Sequence, residues 1–203
     1  MQLAFFIDVS ACSGCKACQV ACKDKHDLEP GRLWRRVATV EGGEWVRQGE
    51  AWRTTAFAYS VSLSCLHCRQ PACVNGCPTG AMRKQEDGTV VVDADRCIGC
   101  RYCEWTCPYG APRYDAGAGR ASKCDFCADE RREGRPPACV AACPMRALEY
   151  GELADLETRY GTEGRDLYPL PSPATTEPSV VIKRHARAAG KPAPPRVGNR
   201  EEL

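Results

Sequence analysis

The stretch CIGCRYCEWTCP contains four cysteines within eleven residues: Cys97, Cys100, Cys103 and Cys107. Thiols this close together serve as disulfide partners, as ligands of a metal or an iron–sulfur cluster, or as reactive groups. The chain holds 16 cysteines in 203 residues, a share close to that of scaffolds built on cysteine. Because it has only four Phe and three Met, we expect bound groups to help hold the fold.

The 16 cysteines form four groups of four, and none is left over. Groups one and three share the spacing C-x2-C-x2-C-x3-C, whereas groups two and four have four and eleven residues between their second and third cysteines. Four groups of four indicate four sites with four ligands each. In chain order the groups are Cys12, Cys15, Cys18 and Cys22; Cys65, Cys68, Cys73 and Cys77; Cys97, Cys100, Cys103 and Cys107; and Cys124, Cys127, Cys139 and Cys143.

The spacing of group three favours iron–sulfur clusters over zinc. C-x2-C-x2-C-x3-C-P is the run of bacterial ferredoxins, in which three cysteines hold one cluster and the fourth holds the other cluster of a pair. Zinc sites usually combine two well-separated C-x2-C pairs around a tetrahedron. We therefore interpret the cysteines as iron ligands, and a structural zinc scaffold remains the alternative from another class.

Two further repeats support this interpretation. Asp8 and Asp93 each lie four residues before the first cysteine of a group, and Gly14 and Gly99 precede the second cysteine. Glycine permits a positive φ and lets the backbone approach a cluster closely. Groups two and four lack this glycine, but Cys-Pro-x-x-Ala ends groups two, three and four. One small unit is thus used four times, which predicts two modules of two clusters each.

Composition and motifs limit the other functions. The formal net charge of +2 argues against a surface that binds nucleic acid. The start MQLAFFIDVSAC lacks the basic region and cleavage site of a secretion signal, which disfavours disulfides. No apolar run reaches the roughly 18 residues of a membrane span. Since no phosphate loop, dinucleotide fingerprint or activated nucleophile is present, we expect electron transfer without catalysis by this chain.

Spacing alone leaves the pairing of the groups open. Between groups two and three, Asp87-Gly88 predicts a turn and residues 89–92 predict a strand. This compact link is suited to joining groups two and three into one module. Groups one and four would then pair with each other around that module. Sequential pairing, one with two and three with four, competes on spacing alone.

The chain resembles the iron–sulfur electron-transfer subunits of molybdopterin oxidoreductases. The resemblance lies in FFIDVSACSGCKACQVACKDKHDL, FAYSVSLSCLHCRQPAC, CPTGAM and DGTVVVDADRCIGCRYCEWTCPYGAPRYD. Within that family these stretches are most similar to the B chains of respiratory dimethyl sulfoxide reductases. The resemblance runs from about residue 5 to residue 150 and continues weakly to residues 181–183.

The resemblance implies an α+β fold with nested pairing of the cysteine groups and four [4Fe–4S] clusters. Module A would comprise residues 1–32 and 113–165, and module B residues 59–112. Each site would take three cysteines from one group and one from its partner group. The implied ligand sets are Cys12, Cys15, Cys18 and Cys143 for site 1; Cys65, Cys68, Cys73 and Cys107 for site 2; Cys97, Cys100, Cys103 and Cys77 for site 3; and Cys124, Cys127, Cys139 and Cys22 for site 4.

The resemblance also implies partners. The chain would pass electrons from a membrane-anchor subunit that oxidises quinol to a molybdopterin subunit that reduces dimethyl sulfoxide. A related complex acting on formate, polysulfide, thiosulfate or tetrathionate is the alternative. We expect attachment to the membrane only through a partner, on the periplasmic face by co-export with a partner that carries a twin-arginine signal, or otherwise on the cytoplasmic face.

Two segments carry no cysteine. In residues 33–58 the stretch VATVEGGEWV predicts a β-hairpin, which we interpret as a structural or docking element. From residue 166 onward proline recurs without any helical period. Such a segment does not fold alone, so residues 166–203 are a disordered tail or, as we prefer, an extended arm ordered against a partner.

Several single residues near the cysteines allow two interpretations. His67 could hydrogen-bond a cluster sulfur or replace a ligand, but we favour a solvent-side loop histidine, and His26 and His185 show no supporting pattern. Five basic residues flank the cysteines and either tune cluster potentials or are solvated charges: Lys16, Lys23, Arg69, Arg101 and Lys123. Four aromatic residues are interpreted as core and interface more than as an electron path: Tyr102, Trp105, Tyr109 and Tyr114.

Overall fold

Short strands and short helices connect the cysteine loops. The computed structural model describes residues 1–162, 164–188 and 195–202. Within them the strands are β1 (Leu3–Asp8), β2 (Arg36–Gly42), β3 (Trp45–Gln48), β4 (Ala51–Thr54), β5 (Phe57–Leu63), β6 (Met82–Lys84), β7 (Val90–Val92), β8 (Arg113–Asp115), β9 (Arg120–Ser122), β10 (Leu148–Glu152), β11 (Val180–Lys183) and β12 (Arg196–Val197). The helices are α1 (Ala17–Lys25), α2 (Ala72–Asn75), α3 (Tyr102–Thr106), α4 (Ala128–Arg132), α5 (Ala138–Ala141) and α6 (Leu153–Tyr160), with 3₁₀ turns at Pro173–Thr175, Ala186–Ala188 and Arg200–Glu202.

The first sheet places β1 between antiparallel β10 and parallel β11. Phe5 and Ile7 of β1 face the main core, while Ala4 and Phe6 pack with Leu156 of α6 on the other face. A strand buried on both faces needs a continuous apolar run, and LAFFI supplies it. The first sheet therefore forms part of the main core, in which cysteines of groups one and four are also buried.

The second sheet has the order β12–β2–β5, and its β2 and β5 pair from Arg36 opposite Leu63 to Gly42 opposite Phe57. The predicted hairpin over VATVEGGEWV is therefore wrong, because β2 pairs with β5 and β3 pairs with β4. Val40 and Val61 are buried in the core, whereas every residue of β3 and β4 is exposed. Burial of its apolar residues gives β2 a better partner in β5 than in β3.

The C-terminal segment packs against its own chain. Val180, Val181 and Ile182 of β11 are buried beside β1, and β12 extends the second sheet. The predicted arm on a partner is wrong for β11, because its three apolar residues complete the first sheet. The part of the predicted arm at residues 189–194, with Pro192 and Pro194, lies outside the described residues.

Two small hairpins lie beside the cysteine groups. β6 pairs with β7 after group two, and β8 pairs with β9 between groups three and four. The first hairpin confirms the predicted turn at Asp87-Gly88, where Gly88 has a φ of 81°. Among the described residues, the helices are too short or too polar to cross a bilayer.

Candidate metal centres

The same backbone turn recurs in all four cysteine groups. The residue just before the second cysteine has a positive φ in each group, as the sequence predicted for the two glycines. These residues are Gly14 (φ 72°), His67 (φ 41°), Gly99 (φ 68°) and Phe126 (φ 65°). The four groups therefore share a left-handed turn, although only two of them have glycine there.

The two glycines are also required by space. A Cβ on Gly14 would lie 2.5 Å from Ser60 Oγ, and a Cβ on Gly99 would collide with the backbone oxygen of Gly119. Real Cβ atoms do not approach other atoms so closely, so a side chain at either position would displace its neighbour. Glycine is thus selected here by both conformation and close approach.

Groups two and four make the turn with large buried side chains. The Phe126 ring stacks on Phe5 at 4.1 Å and meets His67 edge-on at 5.1 Å. His67 Nδ1 accepts a 2.9 Å hydrogen bond from the backbone N–H of Val90. The prediction of a solvent-side His67 is wrong, because only 1% of this residue is exposed. Burial, followed by the nearby positive charge of Lys123, lowers the pKa of His67 well below its ordinary value, so this imidazole is neutral.

The Cys-Pro-x-x-Ala repeat has a structural meaning. The residue three positions after each of these cysteines has a positive φ: Gly80 (63°), Gly110 (57°) and Arg146 (51°). The chain then turns back, so that Ala111 N donates to Cys107 Sγ at 3.4 Å and Ala147 N donates to Cys143 Sγ at 3.3 Å. Backbone hydrogen bonds to ligand sulfurs are one means by which proteins raise cluster potentials.

The repeated aspartates close the turn that enters groups one and three. Asp8 Oδ1 accepts from the backbone N–H groups of Ser10 and Ala11 at 2.9 and 3.1 Å. Asp93 Oδ1 accepts from the backbone N–H of Asp95 at 3.1 Å. Such short-range acceptors stabilise a turn without using secondary structure. The Asp repeat is therefore a feature of loop geometry.

At site 1 the four predicted ligands line one cavity, together with Ile7, Val37 and other residues. Burial raises the pKa of the Cys12 thiol. The backbone N–H of Gly14 opposes this rise, and negative charge at Cys18, Cys143 and Cys15 adds to it. The electrostatic neighbours of Cys12 are therefore two other cysteines of group one and one of group four.

At site 4 the predicted ligands are all buried. Burial raises the pKa of Cys22 to about 12, Arg35 opposes the rise, and charge at Cys139 and Cys127 adds to it. Burial likewise raises the pKa of Cys124, with charge at Cys22 adding to the rise. Helix α1, which carries Cys22, also packs against α5, which carries Cys139.

Predicted site 2 combines cysteines of groups two and three. Burial raises the pKa of Cys73 to about 12, and charge at Cys65, Cys107 and Cys68 adds to the rise, while Lys123 opposes it. The electrostatic neighbours of Cys73 are therefore two other cysteines of group two and Cys107, the last cysteine of group three.

Predicted site 3 combines the remaining cysteines of the same two groups. Burial raises the pKa of Cys103 to about 11, with charge at Cys97, Cys100 and Cys77 adding to the rise. Helix α2 of group two packs against α3 of group three, as two halves of one module would.

The spacing of the sulfur atoms distinguishes a cluster from a single ion. All 16 cysteines are free. Within the described ranges, only His26, Asp125 and Cys127 bring three ligand atoms within 4.8 Å of one another. Four thiolates at about 2.3 Å from zinc would lie roughly 3.8 Å apart. None of the predicted sets, whose cysteines are all described, brings three sulfur atoms within 4.8 Å of one another, as a zinc site would, and sets of four cysteines are the ligands of a four-iron cluster.

Sequence reasoning missed His26. Its Nε2 lies 3.4 Å from Cys127 Sγ, and its ring lies 4.5 Å from that of Trp34. Burial lowers the pKa of His26, which Asp125 partly opposes. No signal in the sequence marks His26, because Cys127 follows it by 101 residues and the contact depends on the tertiary fold.

Cysteines of different predicted sites share apolar clusters. Cys73 of site 2 and Cys103 of site 3 lie in one cluster, and Cys65 of site 2 and Cys124 of site 4 lie in another. Sites 1 and 4 meet in the main core, where Cys139 is also buried. With the predicted ligand sets, these contacts would place the sites in the order 3, 2, 4, 1, and Cys68 of site 2 also packs against the main core.

The two ends of this order reach the surface. Cys15 of site 1 and Cys100 of site 3 are exposed, and the other 14 cysteines are buried or half-buried. Exposed apolar side chains surround both ends. Val20 and Met145 lie near site 1, and Ile98, Tyr102 and Trp105 lie near site 3.

Comparison with known proteins gives a consistent result. A family model described as "4Fe-4S dicluster domain" matches residues 56–153. The B chain of the anaerobic dimethyl sulfoxide reductase of Escherichia coli is 49% identical over 187 residues, which cover 92% of this chain and 91% of the relative. "Probable anaerobic dimethyl sulfoxide reductase chain YnfG" of Escherichia coli is 50% identical with the same coverage. The B subunit of the sulfite dehydrogenase of Allochromatium vinosum is 40% identical over 76% of this chain and 70% of the relative.

Proposed function

The chain belongs to the iron–sulfur subunits of dimethyl sulfoxide reductase complexes, and from this premise we propose that it conducts electrons from a quinol-oxidising membrane-anchor subunit to a molybdopterin catalytic subunit. It is an electron-transfer subunit that is not catalytic by itself and carries four [4Fe–4S] clusters. Each cluster supplies a one-electron redox centre. The chain holds these centres at set separations and adjusts their potentials by burial, hydrogen bonds to sulfur and nearby charge.

We propose the nested ligand sets for the four sites. Support comes from the cysteine neighbours of Cys12, Cys22, Cys73 and Cys103, each of which includes a member of the partner group. The packing of α1 on α5 and of α2 on α3 supports the same assignment. Residues 1–32 with 113–165 would accordingly form one module and residues 59–112 the other, with β3 and β4 as the exposed part of the insertion at residues 33–58.

One observation supports conduction through the whole chain more than any other. Cys15 and Cys100 are exposed and the other cysteines are not. The predicted sites would form a row whose terminal members, sites 1 and 3, each contain one of these two cysteines. Electrons would enter at one exposed end and leave at the other. The exposed apolar side chains at both ends suit two separate partner contacts.

The assembled complex provides the test. The variant Trp105→Glu places a charge at the site 3 end, and Val20→Glu places one at the site 1 end. Anaerobic measurements of cluster reduction by quinol, and separately of cluster oxidation by substrate, should each be impaired by a different variant. If neither variant changes either half-reaction, the exposed ends are not the points of electron entry and exit.

We propose dimethyl sulfoxide as the substrate of the catalytic partner, because the chain is 49% identical to the B chain of a dimethyl sulfoxide reductase. A partner acting on formate, polysulfide, thiosulfate or tetrathionate is the alternative. Purifying the complex through this chain under anaerobic conditions and assaying it with each compound would distinguish them. Activity with any of the others and none with dimethyl sulfoxide would reject the first assignment.

We also propose that the complex lies at the membrane through the anchor subunit, on the periplasmic face after co-export with a partner bearing a twin-arginine signal. Protease protection of this chain in intact spheroplasts gives the test. Degradation by external protease is expected. Protection that disappears only on lysis would place the chain on the cytoplasmic face.

A further inference from the structure

Arg35 is a buried cation without an acidic partner. Only 1% of the residue is exposed, and its guanidinium lies 4.7 Å from the centre of the Phe5 ring. It donates to Ser62 Oγ at 3.0 Å and to Ser64 Oγ at 2.9 Å, and its Nε has no hydrogen-bond partner. Among the described residues, no carboxylate forms an ion pair with it. Burying such a charge is costly unless negative charge lies near.

The negative charges around Arg35 are cysteines of two sites. Burial acts to lower the pKa of Arg35, but charge at Cys139, Cys18, Cys124 and Cys22 outweighs burial and raises the pKa. Cys18 belongs to proposed site 1, and the other three belong to proposed site 4. Arg35 therefore interacts electrostatically with cysteines of both proposed sites.

A hydrogen-bonded path connects Arg35 to site 1. Ser62 Oγ accepts from Arg35 and lies 3.2 Å from Cys18 Sγ. Because a ligand cysteine is a thiolate, the serine hydroxyl must be the donor in this contact. The polarised hydroxyl thus directs a proton at the sulfur, and the guanidinium strengthens that hydrogen bond.

Lys123 is a second buried cation, and its charge acts on cysteines of proposed sites 2 and 4. It is 4% exposed, and its Nζ donates to the backbone oxygens of Val90 and Cys124. It too forms no ion pair with a carboxylate within the part of the chain that the structure describes. Its charge favours the thiolates of Cys73 and Cys107 of site 2 and of Cys124 of site 4. Of the five basic residues singled out in the sequence, Lys123 alone is buried.

We propose that Arg35 and Lys123 are internal counter-ions of the clusters, Arg35 raising the reduction potentials at sites 1 and 4, and Lys123 those at sites 2 and 4. The physical reason is that a reduced cluster has one more negative charge, which an unscreened buried cation stabilises. Site 4 receives both contributions and holds its electron most tightly for a given cluster chemistry. The inference rests on the proposed ligand sets.

The test is a redox titration followed by EPR on the full assembled complex. Arg35→Gln removes the charge and keeps a polar side chain, and we expect it to weaken reduction about tenfold at sites 1 and 4, or about 59 mV for a one-electron couple. Lys123→Gln should shift sites 2 and 4 by a similar factor. The reduction potential of site 2 should stay unchanged in Arg35→Gln, and that of site 1 should stay unchanged in Lys123→Gln. The reduction potential of site 3 should stay unchanged in both variants.

Three control variants separate charge from structure. Arg35→Lys retains the charge and should keep most of the potential, and Arg132→Gln removes an exposed charge near site 4 and should shift no site more than about twofold, since water screens it. If Arg35→Gln does not assemble, Ser62→Ala still removes the hydrogen bond to Cys18 and should weaken reduction about threefold at site 1 alone.

Two results would overturn the proposal. One is four unchanged potentials in Arg35→Gln, or unchanged site 1 in Ser62→Ala where Arg35→Gln fails to assemble. The other is an equal shift of all four sites, which a general loss of structure would cause. Failure of the proposed function would look different, because the unaltered protein would then lack iron or the four EPR signals.

Discussion

Two kinds of cysteine loop make the same turn with different residues. In the glycine loops, those of groups one and three, Gly14 and Gly99 adopt the positive φ, and in the core loops, those of groups two and four, His67 and Phe126 adopt it. Each glycine loop has an exposed cysteine, whereas no cysteine of a core loop is exposed. The position of a loop in the molecule therefore decides which residue makes its turn.

The energies of the two solutions explain the difference. A left-handed conformation costs a residue with a side chain about 1–2 kcal/mol. Burying a Phe side chain contributes about 1.5–3 kcal/mol, and the stacking of Phe126 on Phe5 adds about 0.5–1.5 kcal/mol. In the core the side chain more than offsets the strain. At Gly14 and Gly99 a Cβ would instead collide with Ser60 or with the backbone of Gly119, so glycine is preferred there.

Replacing one ligand in each kind of loop should have the largest effect. Cys124→Ser removes a buried ligand of a core loop that shares an apolar cluster with Cys65 and Cys107, so we expect more than half of the iron to be lost. Cys100→Ser removes an exposed ligand of a glycine loop and should cost about a quarter of the iron, which is one cluster of four. Iron per chain in the purified complex is the measurement. Equal iron losses in Cys124→Ser and Cys100→Ser would contradict the difference between core loops and glycine loops.

The next test uses matched positions two residues before the second cysteine of each loop. Leu66 is 1% exposed and Ile98 is 67% exposed. We expect Leu66→Ala to lower the free energy of unfolding by about 2–5 kcal/mol through the cavity it creates. Ile98→Ala should change it by no more than about 0.5 kcal/mol. Thermal unfolding of the iron-loaded protein under anaerobic conditions is the measurement. If both variants lowered the free energy of unfolding by similar amounts, core loops and glycine loops would not differ in this respect.

A smaller effect is expected from a side chain added to a glycine loop. Gly99 and Gly119 have similar φ values of 68° and 66°, but a Cβ meets the backbone only at Gly99. Gly119→Ala should cost the conformational strain of about 1–2 kcal/mol, and Gly99→Ala should cost about 1–3 kcal/mol more through overpacking. The same thermal measurement applies. A Gly99→Ala variant as stable as Gly119→Ala would show that the loop relaxes freely.

The smallest effect concerns the aspartates that enter the glycine loops. Asp8→Ala and Asp93→Ala should each lower the free energy of unfolding by about 0.5–1.5 kcal/mol through the lost turn hydrogen bonds. Both aspartates also form an ion pair, Asp8 with Lys183 and Asp93 with Arg83. Asp8→Ala should be slightly the larger, because Asp8 accepts from two backbone N–H groups and Asp93 from one. The exposed neighbour Asp95→Ala is the control and should have almost no effect. If Asp95→Ala lowered the free energy of unfolding as much as Asp8→Ala and Asp93→Ala do, the Asp repeat would have no specific structural role.

Much of the site was predictable because its geometry is local. The cysteine spacing predicted four sets of ligands, and the repeated glycine predicted a positive φ that Gly14 and Gly99 both show. The turn at Asp87-Gly88 was predicted from two residues. The turns span only a few residues, and each group of cysteines spans at most 20, so these features can be predicted from the local sequence without knowledge of the rest of the fold.

The wrong predictions concern burial and long-range pairing. His67 was placed in solvent because group two already has four cysteines and needs no further ligand, yet Phe126, far along the chain, packs against it. The strand β2 was paired with its neighbour in sequence, whereas β5 offers the buried apolar partners. Arg35 drew no notice because no cysteine lies near it in sequence. The nested ligand sets stay a prediction until the variants described above are measured.

The sequence by itself determined the chemistry: which atoms bind, how many at each site, and the shape of each loop, because these depend on residue type and on separations of a few bonds. The tertiary structure decided which loops lie inside, which groups face one another, and that Arg35 and Lys123 each interact electrostatically with cysteines of two proposed sites. Burial and electrostatic proximity arise only when distant segments pack together. The electrostatic surroundings of the cysteines therefore depend on the fold, while their number and spacing depend on the sequence.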